Sequence, residues 1–178
     1  MTTQIVQKGI LAALLFLLPA FPTFAFDLTL KDTPVSLYFS PRGGGQKAIV
    51  DAIGLAKESV YVQAFSFTSA PIAKALVDAA KRGVKVEAIL DKSQRKATYT
   101  GATFLRNEGI PVYIDVAHAI AHNKVMVVDG QTVVTGSFNF TKAAEERNAE
   151  NLLIIKDKGL ARLYLENWER HKDHSEEY

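Results

Sequence analysis

The sequence predicts an α/β sandwich: a central mixed, largely parallel sheet flanked by helices on both faces. Three observations carry this. Short β-branched and aromatic runs recur along the chain, and helically spaced stretches of about a dozen residues separate several of them. The breaks between them carry Gly, Pro, Ser and Asp. Strands alternating with helices place the helices over a sheet. A chain of 178 residues, 48% hydrophobic, suits one domain. With no cysteine, a disulfide framework, a thiol nucleophile and a thiolate-bound zinc or iron–sulfur site are excluded. The balance of 21 Lys+Arg against 19 Asp+Glu does not by itself argue for nucleic acid.

Residues 1–25 differ from the rest. Lys8 is the only charge before Asp27, Ile10–Leu18 is an unbroken apolar run, and Pro19, Pro22 and the small Ala25 follow. This is the pattern of a secretory signal peptide cleaved after Ala25, leaving residues 26–178 as one periplasmic or secreted domain. A retained anchor is the alternative, and the two prolines argue against a continuous spanning helix.

In chain order, Val35–Phe39 reads as a strand ended by Ser40-Pro41 and Gly43-Gly44-Gly45. Gln46–Lys57 places Ile49, Val50 and Ile53 at helical spacing, and Val60–Phe67 is strand-like. Ser69 with Pro71 opens a helix over Ile72–Arg82 that stops at Gly83. Val84–Leu90 alternates as a strand, a polar loop follows from Lys92 to Lys96, and a helix surrounds Thr103–Asn107. Pro111–Asp115, Val125–Val128, Thr132–Thr135 and Asn151–Ile155 are further strands, with a turn at Asp129-Gly130. Leu160–His171 closes the chain as an amphipathic helix.

The informative stretch begins at His122-Asn123-Lys124 and ends at Gly136-Ser137-Phe138-Asn139. On a strand, positions i and i+2 share a face, so His122 and Lys124 project together, and Ser137 and Asn139 repeat the spacing. An imidazole, an ammonium, a hydroxyl and a carboxamide suit a phosphate ester. The imidazole attacks or donates a proton near neutral pH, and the ammonium holds oxygens as charge builds. Asp129, next to Gly130, is read as structural, because Asp-Gly is favoured in tight turns for backbone reasons.

These residues, His122-x-Lys124-x4-Asp129-x6-Gly136-Ser137-x-Asn139, resemble the HKD signature of the phospholipase D superfamily, present here once. Over its mature length the chain resembles the small single-motif bacterial endonucleases of that superfamily. The resemblance implies an α/β sandwich, metal-independent phosphodiesterase chemistry with no cofactor, and a phosphohistidine intermediate. Two motifs meet at one site, so a single-motif chain implies a homodimer in which a second His122 comes from the partner chain. It also implies phosphate contact for Asn139, with Ser137 in support, and a structural place for Gly136. Asn148-Ala149-Glu150-Asn151 resembles the family's downstream acidic position, which makes Glu150 the partner that orients His122. Glu145 and Glu146 are expected on a solvated helix face, and His118 in a loop. His171 and His174, in the charged tail, have no functional case.

The expected substrate is DNA, with RNA as a second nucleic acid, cut by a sequence-nonspecific endonuclease. Arg42, Lys92, Arg95 and Lys96 are candidates for a basic mouth, and Tyr99 and Phe138 for stacking on bases. The alternative is a phospholipid or cardiolipin phosphodiesterase. It is disfavoured by the lack of a broad apolar rim, and no stable membrane association is expected once the leader is cleaved.

Overall fold

The computed structural model describes residues 25–95 and 101–178; the leader expected over 1–25 falls almost wholly outside them, as do Lys96 and Tyr99. Eight strands form one sheet: β1 Val35–Phe39, β2 Ser59–Ala64, β3 Lys85–Asp91, β4 Val112–Asp115, β5 Lys124–Val128, β6 Thr132–Gly136, β7 Asn151–Lys156 and β8 Ser175–Glu177. Their order across the sheet is β1-β7-β6-β5-β2-β3-β4-β8. The helices are α1 Gly45–Gly54, α2 Ala70–Lys81, α3 Gly101–Asn107, α4 Lys142–Glu146 and α5 Lys158–Asp173, with a 3-10 turn at Lys92–Arg95.

The α/β class and the mixed sheet are as expected, but the largely parallel arrangement is not. Only β2–β3 and β3–β4 are parallel, and the other five pairings are antiparallel. The physical reason lies in the connections. A parallel pair needs a crossover of a dozen residues or more, which α2 and α3 supply. The link from β5 to β6 is a short turn in which Asp129 and Gly130 both have positive φ, 51° and 60°, so those strands pair as a hairpin.

Strand alternation divides the molecule into two cores. Val60, Val62 and Ala64 of β2 join Ile49 and Ile53 of α1 and Ile72 and Leu76 of α2 in the larger one. Val125, Val127 and Val133 face the other way and meet Ala161 of α5. Helix ends follow local chemistry. Ser69 accepts from the Ile72 N–H to open α2, and Asp157 from the Leu160 N–H to open α5. Trp168 of α5 is buried and its indole N–H donates to the Val62 carbonyl at 2.8 Å, fixing the helix across the sheet. The three-residue strand β8 carries little hydrophobic pattern and the sequence reading did not find it, while the short α4 is the helix expected to carry Glu145 and Glu146.

Candidate active site

The site lies where β5 begins and β6 ends. β5 starts at Lys124, so His122 stands two residues outside the strand rather than on it, and it is exposed. Its ring rests against Phe65, centroids 4.7 Å apart, just beyond the end of β2. The Phe65 N–H donates to the Asn123 carbonyl at 2.8 Å, which fixes this contact. No motif pointed to Phe65; its only signal was its place in the strand-like run Val60–Phe67, of which the observed β2 ends at Ala64.

Lys124 is buried, 7% exposed, although it is a lysine. Its ammonium donates to the His122 carbonyl at 2.9 Å and lies 5.2 Å from the centre of the Phe65 ring. Burial lowers its pKa below the ordinary lysine value, and the charge of Glu150 opposes that shift. A cation held dry beside an exposed imidazole is a site for an anion.

Glu150 is engaged by its own strand neighbours. Its carboxylate accepts from the Ser137 hydroxyl at 2.6 Å and from the Asn148 side-chain amide at 3.0 Å. Ser137 in turn accepts from the Asn151 N–H at 3.0 Å. Among the described hydrogen bonds none joins Glu150 to His122, so within one chain Glu150 acts on Lys124 through charge and on Ser137 by contact. The side-chain oxygen of Asn139 is buried without a hydrogen-bond partner, a polar atom left open beside the motif. Gly136 has φ 143°, and a Cβ there would lie 2.3 Å from the Asn151 carbonyl oxygen, so only glycine fits where β6 passes β7.

Asp129 lies away from the others, at the far end of β5. Its carboxylate accepts from the N–H groups of Lys57, Glu58 and Ser59 at 2.8–3.1 Å, tying the β5–β6 turn to the entry of β2. Burial pushes its pKa up, and the bonds from Ser59, Glu58 and Lys57 bring it below the usual aspartate value.

Four expectations are corrected. Phe138 is 1% exposed, packed in the larger core with no face for a base, because it follows the strand into the sheet interior. Glu145 is no solvated residue: its two oxygens accept from the Gly44 and Gln46 N–H groups at 3.0 and 2.8 Å, capping α1. Arg95 is paired with Glu176 at 2.7 Å and Lys92 donates to the His118 carbonyl at 2.9 Å, so two of the three described members of the expected basic mouth are already engaged. His171 and His174 do not trail in a tail; with His118 they surround Asp115. Glu146 is exposed and faces Lys142 at 3.5 Å.

An exposed imidazole beside a buried, charge-compensated lysine, at adjacent strand ends of an α/β sheet, defines a phosphodiester-handling site. Residues 49–172 match the family described as cardiolipin synthase, PLD-like domain, and the chain belongs to this phospholipase D superfamily. It is 47% identical over 139 residues, 78% of the chain and 70% of its relative, to a phospholipase D of Rickettsia conorii. It is 35% identical over 115 residues to the mitochondrial cardiolipin hydrolase of Xenopus tropicalis, covering 65% of this chain and 55% of that protein. The crystal structure of Nuc, a phospholipase D family member from Salmonella typhimurium, superimposes with a TM-score of 0.78 at 39% identity, over 83% of this chain and 99% of Nuc. The chain is a phosphodiester hydrolase of that superfamily.

Proposed function

We propose that this phosphodiesterase is a sequence-nonspecific endonuclease on DNA, and on RNA as a second substrate, working as a homodimer through a phosphohistidine. The observation that carries it is the exposure of His122 beside the dry ammonium of Lys124, in a chain with one such pair. A single imidazole cannot both attack phosphorus and protonate the alkoxide leaving from the opposite side. The likeness to Nuc over 99% of that chain favours the small-nuclease branch, because no additional domain is needed to complete that fold. Ile120, two residues before His122, is 60% exposed and supplies apolar surface for a second copy next to the imidazole.

His122 attacks in line, forming an N–P bond as the P–O bond to the leaving alcohol breaks. The partner's His122 gives that oxygen its proton. It then takes a proton from water, whose oxygen attacks phosphorus and breaks the N–P bond. Lys124 holds the non-bridging oxygens through both steps, and Asn139 donates a side-chain amide N–H to one of them. The leader pattern of residues 1–25 supports an activity exercised outside the cytoplasm.

A second reading, hydrolysis of a phospholipid head group, is favoured by the name of the Rickettsia relative at 47% identity. Supercoiled plasmid and cardiolipin-containing vesicles, offered in parallel in EDTA, decide between them. Plasmid nicking with intact lipid is expected. Head-group release without nicking overturns the nuclease reading. His122→Ala should abolish turnover of whichever substrate is used, and substantial residual cleavage would overturn the assignment of the nucleophile.

A further inference from the structure

Asp115, at the end of β4, is fully buried at 0% side-chain exposure, and three of the chain's four histidines gather around it. One carboxylate oxygen, Oδ1, accepts from the N–H groups of Ala117 and His118 at 3.1 and 3.2 Å, and also faces His118 Nδ1 at 3.1 Å. The other, Oδ2, faces His118 Nδ1 at 2.9 Å, His171 Nδ1 at 2.8 Å and His174 Nε2 at 3.4 Å. The ring centroids are 4.8–5.2 Å apart. The four donor atoms, one from each residue, lie within 4.8 Å of one another.

As a hydrogen-bond network this is poorly matched. One oxygen with two lone pairs cannot accept well from three imidazoles. If the three rings were protonated instead, imidazolium ions at these separations would repel one another around a single negative charge. A divalent cation resolves both problems, since each neutral imidazole then offers a lone pair inward. The proton of each ring moves to its outer nitrogen, so the ring stays neutral and no ligand need be lost. We propose that Asp115, His118, His171 and His174 form a binding site for a divalent transition metal, zinc by its chemistry.

The donor set is three imidazole nitrogens and one carboxylate oxygen, which suits Zn²⁺ in tetrahedral coordination. Ligands about 2.0–2.1 Å from such an ion stand roughly 3.3 Å apart, so the His118 and His171 nitrogens draw back from Oδ2 by about 0.5 Å while the donors, now within 4.8 Å of one another, close by up to about 1.5 Å. The spacing also fits: Asp115-x2-His118 comes from the end of β4 and the loop after it, His171-x2-His174 from the end of α5. Part of the second shell is in place: the backbone N–H groups of Ala117 and His118 fix Asp115 through Oδ1, and the Ser175 hydroxyl ties down the His171 backbone by donating to its carbonyl at 2.7 Å. The cations next to these segments are already held, Lys172 by Glu87 and Arg95 by Glu176.

Four protein ligands close the coordination sphere, so the metal is structural rather than catalytic. It joins three parts: the sheet at β4, the C-terminal turn of α5, which already packs on β4 through Trp168 and Lys172 against Tyr113, and the segment 116–121 that leads to His122. The last is anchored a second time by the Ala121 N–H, which donates to Asp91 at 2.8 Å. The ion thus stiffens the approach to the nucleophile without touching phosphate, and the site stands whether the substrate is nucleic acid or lipid.

The test uses the full chain stripped with a chelator and titrated with Zn²⁺, and separately with Co²⁺, whose visible absorption reports four-coordinate geometry. One saturable Zn²⁺ per chain is expected, with strong Co²⁺ bands and a Tm rise of about 5–10 °C at a hundredfold excess over Kd. His118→Asn, His171→Asn and His174→Asn should each weaken binding at least about 10–100-fold, the loss that follows even from removing a second-shell partner. His122→Ala, which removes the one histidine outside the cluster, should leave binding unchanged. Absence of a saturable site overturns the proposal. So does binding that survives all three asparagine variants, or that disappears with His122→Ala. Should the partly buried His171 variant fail to fold by circular dichroism, His118→Asn carries the same decision, because that ring is 47% exposed.

Discussion

Asp129 is a signature residue that sits at the far end of β5 from Lys124, bonded to backbone N–H groups, and replacing it should separate stability from turnover. Its carboxylate holds three backbone N–H groups, those of Lys57, Glu58 and Ser59. Hydrogen bonds to a charged group contribute about 1.5–3 kcal/mol each. The Lys57 and Glu58 positions are exposed, so water replaces much of their share, whereas the Ser59 bond is part-buried. That leaves roughly 2–3 kcal/mol for the three together. Asp129 also has φ 51°, where alanine adds about 1 kcal/mol of strain. Asp129→Ala should therefore cost about 3–4 kcal/mol and lower Tm by about 6–15 °C for a chain of this size. Asp129→Asn, which tolerates positive φ and keeps one acceptor oxygen, should lose about half as much. The folded pKa lies below the unfolded one, so this stabilisation is complete above the unfolded aspartate pKa and is lost as pH falls through the folded value. Differential scanning calorimetry reads the shift, and steady-state rates taken well below each variant's Tm read the chemistry. A Tm within about 2 °C of the parent, or a kcat loss beyond about tenfold in folded protein, would refute the reasoning.

Lys124→Ala should lower kcat by about 10²–10³ with little change in KM, because its ammonium acts most strongly on charge that develops in the transition state; a pure KM effect would assign it to ground-state binding. Gly136→Ala puts a methyl 2.3 Å from the Asn151 carbonyl oxygen at φ 143° and should cost at least about 1–3 kcal/mol, measured by urea unfolding. Glu145→Ala removes the acceptor for the Gly44 and Gln46 N–H groups, and a loss of about 1–2 kcal/mol with unchanged kcat is expected.

The parts of the fold legible in the sequence are those where periodicity is strong and local. Val84–Leu90 and Val125–Val128 differ from the observed strands by no more than a residue at either end, and Ser69 opens α2 as its side chain dictates. Sheet direction was not legible, because pairing direction is set by connection geometry while alternation of side chains is the same in either sense. His122, Lys124, Ser137 and Asn139 were marked by spacing, and β5 and β6 bring their ends together. What spacing could not mark were contacts across long sequence separations. Phe65 meets His122 from another strand, Glu145 reaches back to residues 44 and 46, and Asp115 collects two histidines from the far end of α5. Phe138 shows the opposite error: an aromatic inside a motif invites a functional role, but one residue to either side of an outward position faces the core.

The electrostatics of Lys124 explain why the motif needs its distant members. An ammonium taken out of water is costly unless something replaces its hydration. Here the replacements are incomplete by design of the donor count: an ammonium has three N–H donors, and the His122 carbonyl takes one. The Phe65 ring offers its negative face, and Glu150 supplies charge at a distance because Ser137 and Asn148 hold its carboxylate away from direct pairing. Had Glu150 paired with Lys124 directly, the cation would be neutralised and the site would have little hold on a phosphate. With Glu150 tethered, the lysine stays charged but under-coordinated, and a phosphate is the ligand that completes it. On this argument Ser137 serves the phosphate through the carboxylate it restrains, and Ser137→Ala should lower kcat more than it raises KM, by freeing Glu150 to compete for the ammonium that holds the charge built up in the transition state.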